Sequence, residues 1–266
     1  MRVLFVGDVC GDPGRQCIER LVPQLREELQ LDAVIANSEN ATRGMGIAAR
    51  VATQILSHGV DAITLGNHAL RQRDIFPMLN EDPRIIRPAN LPEKAPGTGM
   101  MFVEVAGEAD QPPVEIAVIN LLGSLYLDSA ASAFDVIDEL IERARARTPV
   151  IMLDMHAEAT SEKVAMGHYV AGRVNAVVGT HTHVQTSDAR LLDGATAYIT
   201  DLGMTGPHDS VIGVRTDIIL KKLTTGIGQR FEPATGGVQL EGAVIDFDAA
   251  TGRATAIEAI RVPLKS

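Results

Sequence analysis

Tryptophan is absent and aromatic residues make up only 3% of the 266-residue sequence. Its core must therefore be aliphatic, built from Val, Ile, Leu, Ala and Met. Cysteine is scarce too. Cys10 and Cys17 cannot form a disulfide framework of the kind that staples small secreted domains. No apolar run approaches the ~18 residues needed to cross a bilayer. The N-terminal run is too short for a signal-peptide core, and Asp8 interrupts it. A cytoplasmic protein without membrane attachment is the resulting expectation. Positive charge is also in deficit: 24 Lys and Arg stand against 34 Asp and Glu, a net charge of −10. That balance argues against a broad footprint for nucleic acid or anionic lipid. A phosphate-bearing substrate would need local positive charge, such as bound metal.

Hydrophobic residues make up 45% of the chain, ample for a core, and 24 glycines suit a fold with many tight strand–loop–helix turns. Short apolar runs at Val3–Gly7, Ala33–Ala36, Ala62–Leu65, Val150–Leu153 and Ala176–Val178 read as strands buried on both faces. Arg84–Pro88 reads as a further short strand. Helical spacing marks a segment opened by Asp12-Pro13 as N-cap and first helical position, with Pro23 as a kink. It also marks Ile47–His58, Asp135–Arg147, and a helix capped by Thr160 or Ser161 that runs to Ala171.

Met100–Val105 and Val114–Leu122 pair as a hairpin around the polar turn Ala106–Pro113, and Ala189–Leu192 and Ala195–Ile199 around Asp193-Gly194. Asp201–Ser210 reads as a loop, and Val211–Leu223 fits a helix or a strand. Val238–Asp248 and Ala254–Val262 read as a closing antiparallel pair with Gly242 as a bulge. Strand–helix alternation followed by antiparallel pieces implies one domain: a mixed sheet, or two packed sheets, with helices outside.

Chemistry concentrates where strands end. Asp8, Glu39/Asn40, Asn67/His68, His156 and His181/His183 each follow a short apolar run, and in open α/β sheets ligands bind outside the carboxyl ends of strands. In an extended segment His181 and His183, two apart, would face the same side. Two carboxylates, two carboxamides and four histidines are too many ligands for one metal. A nitrogen and oxygen set without thiolate suits Fe, Mn or Zn, and two ions bridged by one carboxylate fit the count.

The segments GDVCGDPGR, ANSENATRGMGI, TLGNHA, DMHAEATSEK, GTHTHVQT and TDLGMTGP, in this order, resemble the calcineurin-like metallophosphoesterases. Three departures from that superfamily stand out: Cys10 replaces the histidine of D-x-H, N-S-E-N replaces G-D-x-x-D, and Ala69 replaces the acid of G-N-H-E. These departures resemble the YmdB-like branch, whose members hydrolyse 2',3'-cyclic nucleotides, and the likeness spans Met1 to about Val214. It implies a four-layer α/β/β/α metallophosphoesterase sandwich of two packed mixed sheets flanked by helices. It further implies two transition-metal ions, iron or manganese, with Asp8, Asn40 and His183 on the first, Asn67, His156 and His181 on the second, and Glu39 bridging.

The activity so implied is hydrolysis of small 2',3'-cyclic nucleotides to 3'-nucleotides by a metal-bridging hydroxide. His68 is the candidate general acid for the departing ribose oxygen, a role worth roughly 10²–10⁴ in rate. Asp154 and Glu158 read as orienting neighbours or caps, His58 as a helix-end residue, His168 as surface, and Cys10 as a buried filler. Arg43, Thr205 and His208 are candidates for substrate contact, with simple turn geometry as the competing explanation of the GMTGP segment. The competing functions are a phosphomonoesterase of the same superfamily and a metal- or nucleotide-binding regulator with incidental turnover. The segment from Arg84 to Leu122 is a candidate cover for a partner subunit in a homo-oligomer.

Overall fold

In a computed structural model of the chain, the described residues are 1–106, 113–128, 131–248 and 250–265. The described residues form thirteen strands and six α-helices. In order, the strands are β1 (Arg2–Val6), β2 (Asp8–Val9), β3 (Ala33–Asn37), β4 (Ala62–Thr64), β5 (Met100–Val105), β6 (Val114–Leu122), β7 (Val150–His156), β8 (Ala176–Thr180), β9 (Arg190–Leu192), β10 (Thr196–Ile199), β11 (Met204–Pro207), β12 (Val238–Phe247) and β13 (Ala254–Pro263). The helices are α1 (Gly11–Glu28), α2 (Ala49–Ser57), α3 (Phe76–Glu81), α4 (Ala133–Arg145), α5 (Thr160–Val170) and α6 (Thr216–Thr225).

Seven strands make the first sheet, ordered β2-β11-β12-β1-β3-β4 with β13 also on β12, and six make the second, ordered β5-β6-β7-β8-β10-β9. Both are mixed. β1, β3 and β4 run parallel while β12 runs antiparallel to β1. β6, β7, β8 and β10 run parallel between antiparallel edges.

The period-2 alternation of β1 shows how the layers form. Val3 and Phe5 join Ile35, Val118, Met152, Val178 and Ile245 in the core between the sheets. Leu4 and Val6 point the other way, into a second core with Ile18, Val22 and Leu25 of α1 and Val51 and Ile55 of α2. On the far side, Ile119, Ile151, Leu153 and Val177 pack against Ile137 and Ile141 of α4 and Met166 of α5. Helix, sheet, sheet and helix thus give the four-layer sandwich that the sequence resemblance implies. Strands with both faces covered need no polar alternation, which is why they read as continuous apolar runs.

Several local expectations are corrected. Helix α1 begins two residues earlier than read, with Cys10 at the N-cap and Asp12 inside the first turn. The helix runs on through Pro23, which sits on its exposed side, where the carbonyl that proline leaves unserved can be hydrated. Arg84–Pro88 contributes only an isolated bridge, Ile85 to Ile63. The expected loop Asp201–Ser210 contains β11, which joins β2 and β12. The undecided stretch after Ser210 becomes α6, a helix with no buried residue among those described, so burial left no period for the sequence to display.

Ala159, not Thr160 or Ser161, caps α5. The register shift of the β12–β13 pair falls at Asp246/Phe247 rather than at Gly242. Gly242 instead permits close strand approach, since a Cβ there would lie 2.4 Å from the Phe5 carbonyl oxygen. The turn expected at Ala106–Pro113 lies largely outside the described residues.

Candidate metal centre

The carboxyl ends of β1, β3, β4, β7 and β8 converge, and they bring Asp8, Glu39, Asn40, Asn67, His156, His181 and His183 together. Glu39, fully buried, is the hub. Its Oε1 lies 3.2 Å from His156 Nε2 and accepts from Asn40 Nδ2 at 3.2 Å, while Oε2 accepts the His68 backbone N–H at 2.8 Å. On one side His156 Nε2 lies 3.1 Å from Asn67 Oδ1 and 3.1 Å from His181 Nδ1. On the other, His183 Nε2 lies 3.1 Å from Asn40 Nδ2 and 3.8 Å from Asp8 Oδ1.

Backbone geometry makes this division. β8 stops at Thr180, and His181 and His183 take φ of 101° and 65°, a region costly for residues other than glycine. The two imidazoles are therefore not same-side neighbours on an extended strand, as the i, i+2 spacing suggested. The turn sends His181 towards His156 and His183 towards Asn40. Gly66 has the complementary role. A Cβ there would lie 2.3 Å from His156 Nε2 and 2.4 Å from Glu39 Oε2, so only glycine lets the β4 turn approach the cluster.

A buried relay fixes His156. Its Nδ1 lies 2.8 Å from Thr180 Oγ1, which donates to Asp154 Oδ1 at 2.7 Å. Asp154 also accepts from Thr64 Oγ1 at 2.5 Å and Asn37 Nδ2 at 3.1 Å. Burial raises the Asp154 pKa to about 6 against the opposing pull of His156 and these donors. His183 Nδ1 rests on the Ile212 carbonyl at 3.0 Å, and His181 Nε2 meets Glu158 Oε2 at 3.0 Å. Such outer partners fix ring orientation in metal sites. Asp154 and Glu158 are thus found as orienting groups. Asn37 and Thr180 were missed, though each is a polar residue inside an otherwise apolar strand, which is a usable signal.

Among the described residues the two carboxylates, Asp8 and Glu39, have only histidines as basic partners. Burial raises the Asp8 pKa. Burial also works against ionisation of Glu39, but His156 and His68 beside it hold its carboxyl well below the usual range. His156 is in turn raised to about 9, the Glu39 carboxylate outweighing desolvation. His181 is lowered to about 3 by burial and by its neighbour His156. Among the described residues no Lys or Arg pairs with either carboxylate, and Asp8 Oδ1 is buried with no hydrogen-bond partner. Glu39, His156 and His181 each present a ligand atom within 4.8 Å of the others. An orphaned buried oxygen, two buried carboxylates without a Lys or Arg partner among the described residues and a nitrogen/oxygen donor set all fit a metal ion.

The other candidates divide. His68 borders the cluster: its Nδ1 lies 2.8 Å from Asn40 Oδ1 and 3.4 Å from Glu39 Oε1. Arg43 is exposed three residues beyond Asn40 with φ 56°, and its side chain makes no hydrogen bond among the described residues. Thr205 corrects its sequence assignment. It is fully buried in β11, and its hydroxyl exchanges hydrogen bonds with the Glu241 backbone at 3.1 and 3.2 Å. His208 Nε2 is occupied by the Met204 carbonyl at 3.0 Å, which ties the loop to itself. Cys10 is buried against Gly44 and Gly213, and burial pushes its thiol up to about 12.

A four-layer sandwich with acids, amides and histidines at converging strand ends defines the metallophosphoesterase class. The 5'-nucleotidase of Candida albicans shares this fold at 9% identity and a TM-score of 0.57, covering 98% of this chain and 50% of that one. Within the class, the chain belongs to the YmdB-like protein family, which it matches over residues 4–260. It is 46% identical over 262 residues to the 2',3'-cyclic-nucleotide 2'-phosphodiesterase of Bacillus subtilis, covering 98% of this chain and 97% of that one. A solved structure of a Thermus thermophilus protein superposes with a TM-score of 0.90 at 36% identity, covering 99% of each chain.

Proposed function

We propose that this protein is a metal-dependent phosphodiesterase, one catalytic domain acting in the cytoplasm, that opens 2',3'-cyclic nucleotides to 3'-nucleotides. The observation that carries the reading is 46% identity over nearly the whole chain to a 2',3'-cyclic-nucleotide 2'-phosphodiesterase, joined to the nitrogen/oxygen donor cluster. Asp8, Asn40 and His183 would hold one ion, Asn67, His156 and His181 a second, and Glu39 both, with iron or manganese as the metal. Glu39 suits bridging because a carboxylate offers two oxygens, whereas an asparagine offers one. Bound there, two ions would supply positive charge against the phosphoryl oxygens and lower the pKa of a water molecule towards neutrality.

The protein's own groups do the rest. Water adds to phosphorus as the bond from phosphorus to the ribose 2'-oxygen breaks, and that oxygen must receive a proton. His68 is held by its backbone N–H on Glu39 and by Nδ1 on Asn40, which leaves Nε2 for the substrate. A ring protonated on both nitrogens would donate from Nδ1 to the Asn40 carbonyl oxygen and give its Nε2 proton to the departing oxygen, leaving a neutral imidazole.

The test is metal analysis by mass spectrometry with product analysis on 2',3'-cAMP, 5'-AMP and phosphopeptides. Close to two transition-metal ions per chain and 3'-AMP as product are expected. A folded, metal-free protein that hydrolyses none of these, or one that prefers 5'-AMP, would overturn the reading. Glu39→Gln should fold, lose metal and lose turnover.

A further inference from the structure

At the end of the sandwich remote from the metal centre, a cavity of about 520 Å³ is lined by Arg145, Arg147, Arg173 and Arg253, with Asn175 and Thr148 among its other walls. Its position follows from the topology. Thr148 lies just before β7, Asn175 just before β8, and Ala195, also lining it, just before β10. The metal-centre residues follow the opposite strand ends. Val150 and His156 mark the two ends of β7, a separation on the order of 20 Å at ~3.3 Å per residue.

Four arginines lining one cavity stand out in a chain of net charge −10. Two are compensated. Arg147 pairs with Glu115, and Arg173 donates to Asp138 at 2.6 Å. The other two are not. Among the described residues, Arg145 meets only the Arg173 carbonyl at 2.9 Å and Arg253 only the Gly194 carbonyl at 3.4 Å, and neither faces a carboxylate. A place at the end of α4 accounts for Arg145 by itself, because a cation suits a helix C-terminus. It does not account for Arg253, which stands in the β12–β13 turn, far in sequence from every helix it could cap.

The walls are fixed before any ligand arrives. Asn175 Oδ1 accepts the Ile151 N–H at 2.7 Å, which leaves its amide N–H groups as donors lining the cavity. Gly252, at φ 72°, presses the turn bearing Arg253 against Pro149, where a Cβ would lie 2.5 Å from the carbonyl oxygen. The volume falls in the range of small-molecule sites, roughly 300–1,000 Å³. Two guanidiniums without a carboxylate partner leave positive charge at the cavity for an anion to meet. Their planar forks match the paired oxygens of phosphate.

We infer that this cavity is a second ligand site, for a small phosphorylated anion carrying at least two negative charges, independent of the metal centre. Equilibrium dialysis of radiolabelled inorganic phosphate against the metal-loaded protein tests this. The wild type should hold one more phosphate per chain than the Arg145→Ala/Arg253→Ala variant, and the extra site should weaken at least tenfold in Arg253→Gln alone. Both arginines are exposed, and the single variant carries the comparison should the double one not fold. Hydrolysis of bis-p-nitrophenyl phosphate should be unchanged in both, which places the lost site away from the metals. Equal stoichiometry and affinity in wild type and variants would overturn the inference, as would parallel loss of phosphate binding and hydrolysis.

Discussion

Lys163 Nζ lies 2.6 Å from Asp201 Oδ2, and both side chains are 1% exposed. Asp201 does more than neutralise the lysine. Its Oδ2 accepts from the Thr182 N–H at 3.1 Å and hydroxyl at 2.8 Å, and its Oδ1 from the Gly203 N–H at 2.9 Å. One carboxylate therefore ties α5, the turn carrying His181 and His183, and the entry to β11. Removing it leaves a buried ammonium unpaired and frees the strained histidine turn. Asp201→Ala should cost about 3–5 kcal/mol in chemical denaturation. Lys163→Met should cost less, because Asp201 keeps three other donors. Equal losses below 1 kcal/mol would remove the pair from this positioning role.

Gly66→Ala tests the close approach of the β4 turn to the cluster. The added methyl would meet His156 and Glu39, whose side chains are 0% and 1% exposed and have no room to yield. Circular dichroism should report a folded protein, while metal content by mass spectrometry and hydrolysis both fall. Full metal loading in this variant would refute the geometry.

His68→Ala should slow 2',3'-cyclic nucleotides by roughly 10²–10⁴. Bis-p-nitrophenyl phosphate should lose much less, because nitrophenolate leaves without protonation. Comparing kcat on the two substrates isolates the proton-transfer role. Equal losses would instead make His68 an anchor for the phosphoryl group or for Asn40.

Cys17 lies fully buried on α1, and burial pushes its thiol up to about 12, with Arg20 opposing weakly. The thiolate is the reactive form, so alkylation by iodoacetamide at pH 8 should be slow in the native state and rise about tenfold per pH unit. The linkage sign follows. A folded pKa above the unfolded one adds stability at neutral pH that is lost as pH rises from about 9 towards 12. Cys17→Ala should flatten that alkaline loss in denaturant titrations. Peptide mapping after alkylation separates Cys17 from Cys10.

Much of the architecture was legible because burial writes itself into sequence. Strands covered on both faces appear as the runs VLFV, AVIA and VIML, and the polar residue that ends each run reports where chain leaves core. The seven candidate ligands stand at or just after the ends of such runs, with Asp154 and Glu158 near them. The exposed helix α6 and the strand β11 were not, since neither shows an apolar period of its own. Asn37, Thr180, Lys163 and Asp201 escaped for another reason. A buried polar group is recognisable only by its partner, and these partners stand tens of residues away.

By itself, the sequence determined which polar groups stand at the strand ends, because side-chain type and hydrophobic run length are local properties. The family resemblance also implied that His181 and His183 part. Tertiary structure alone supplied the means: positive φ at both residues turns one ring to each side of Glu39, where strand spacing predicted a shared side. It also took the Thr205 hydroxyl out of the site and gathered four arginines from three segments into one cavity. Chain spacing carries no information about such meetings, since they arise only when two sheets pack face to face.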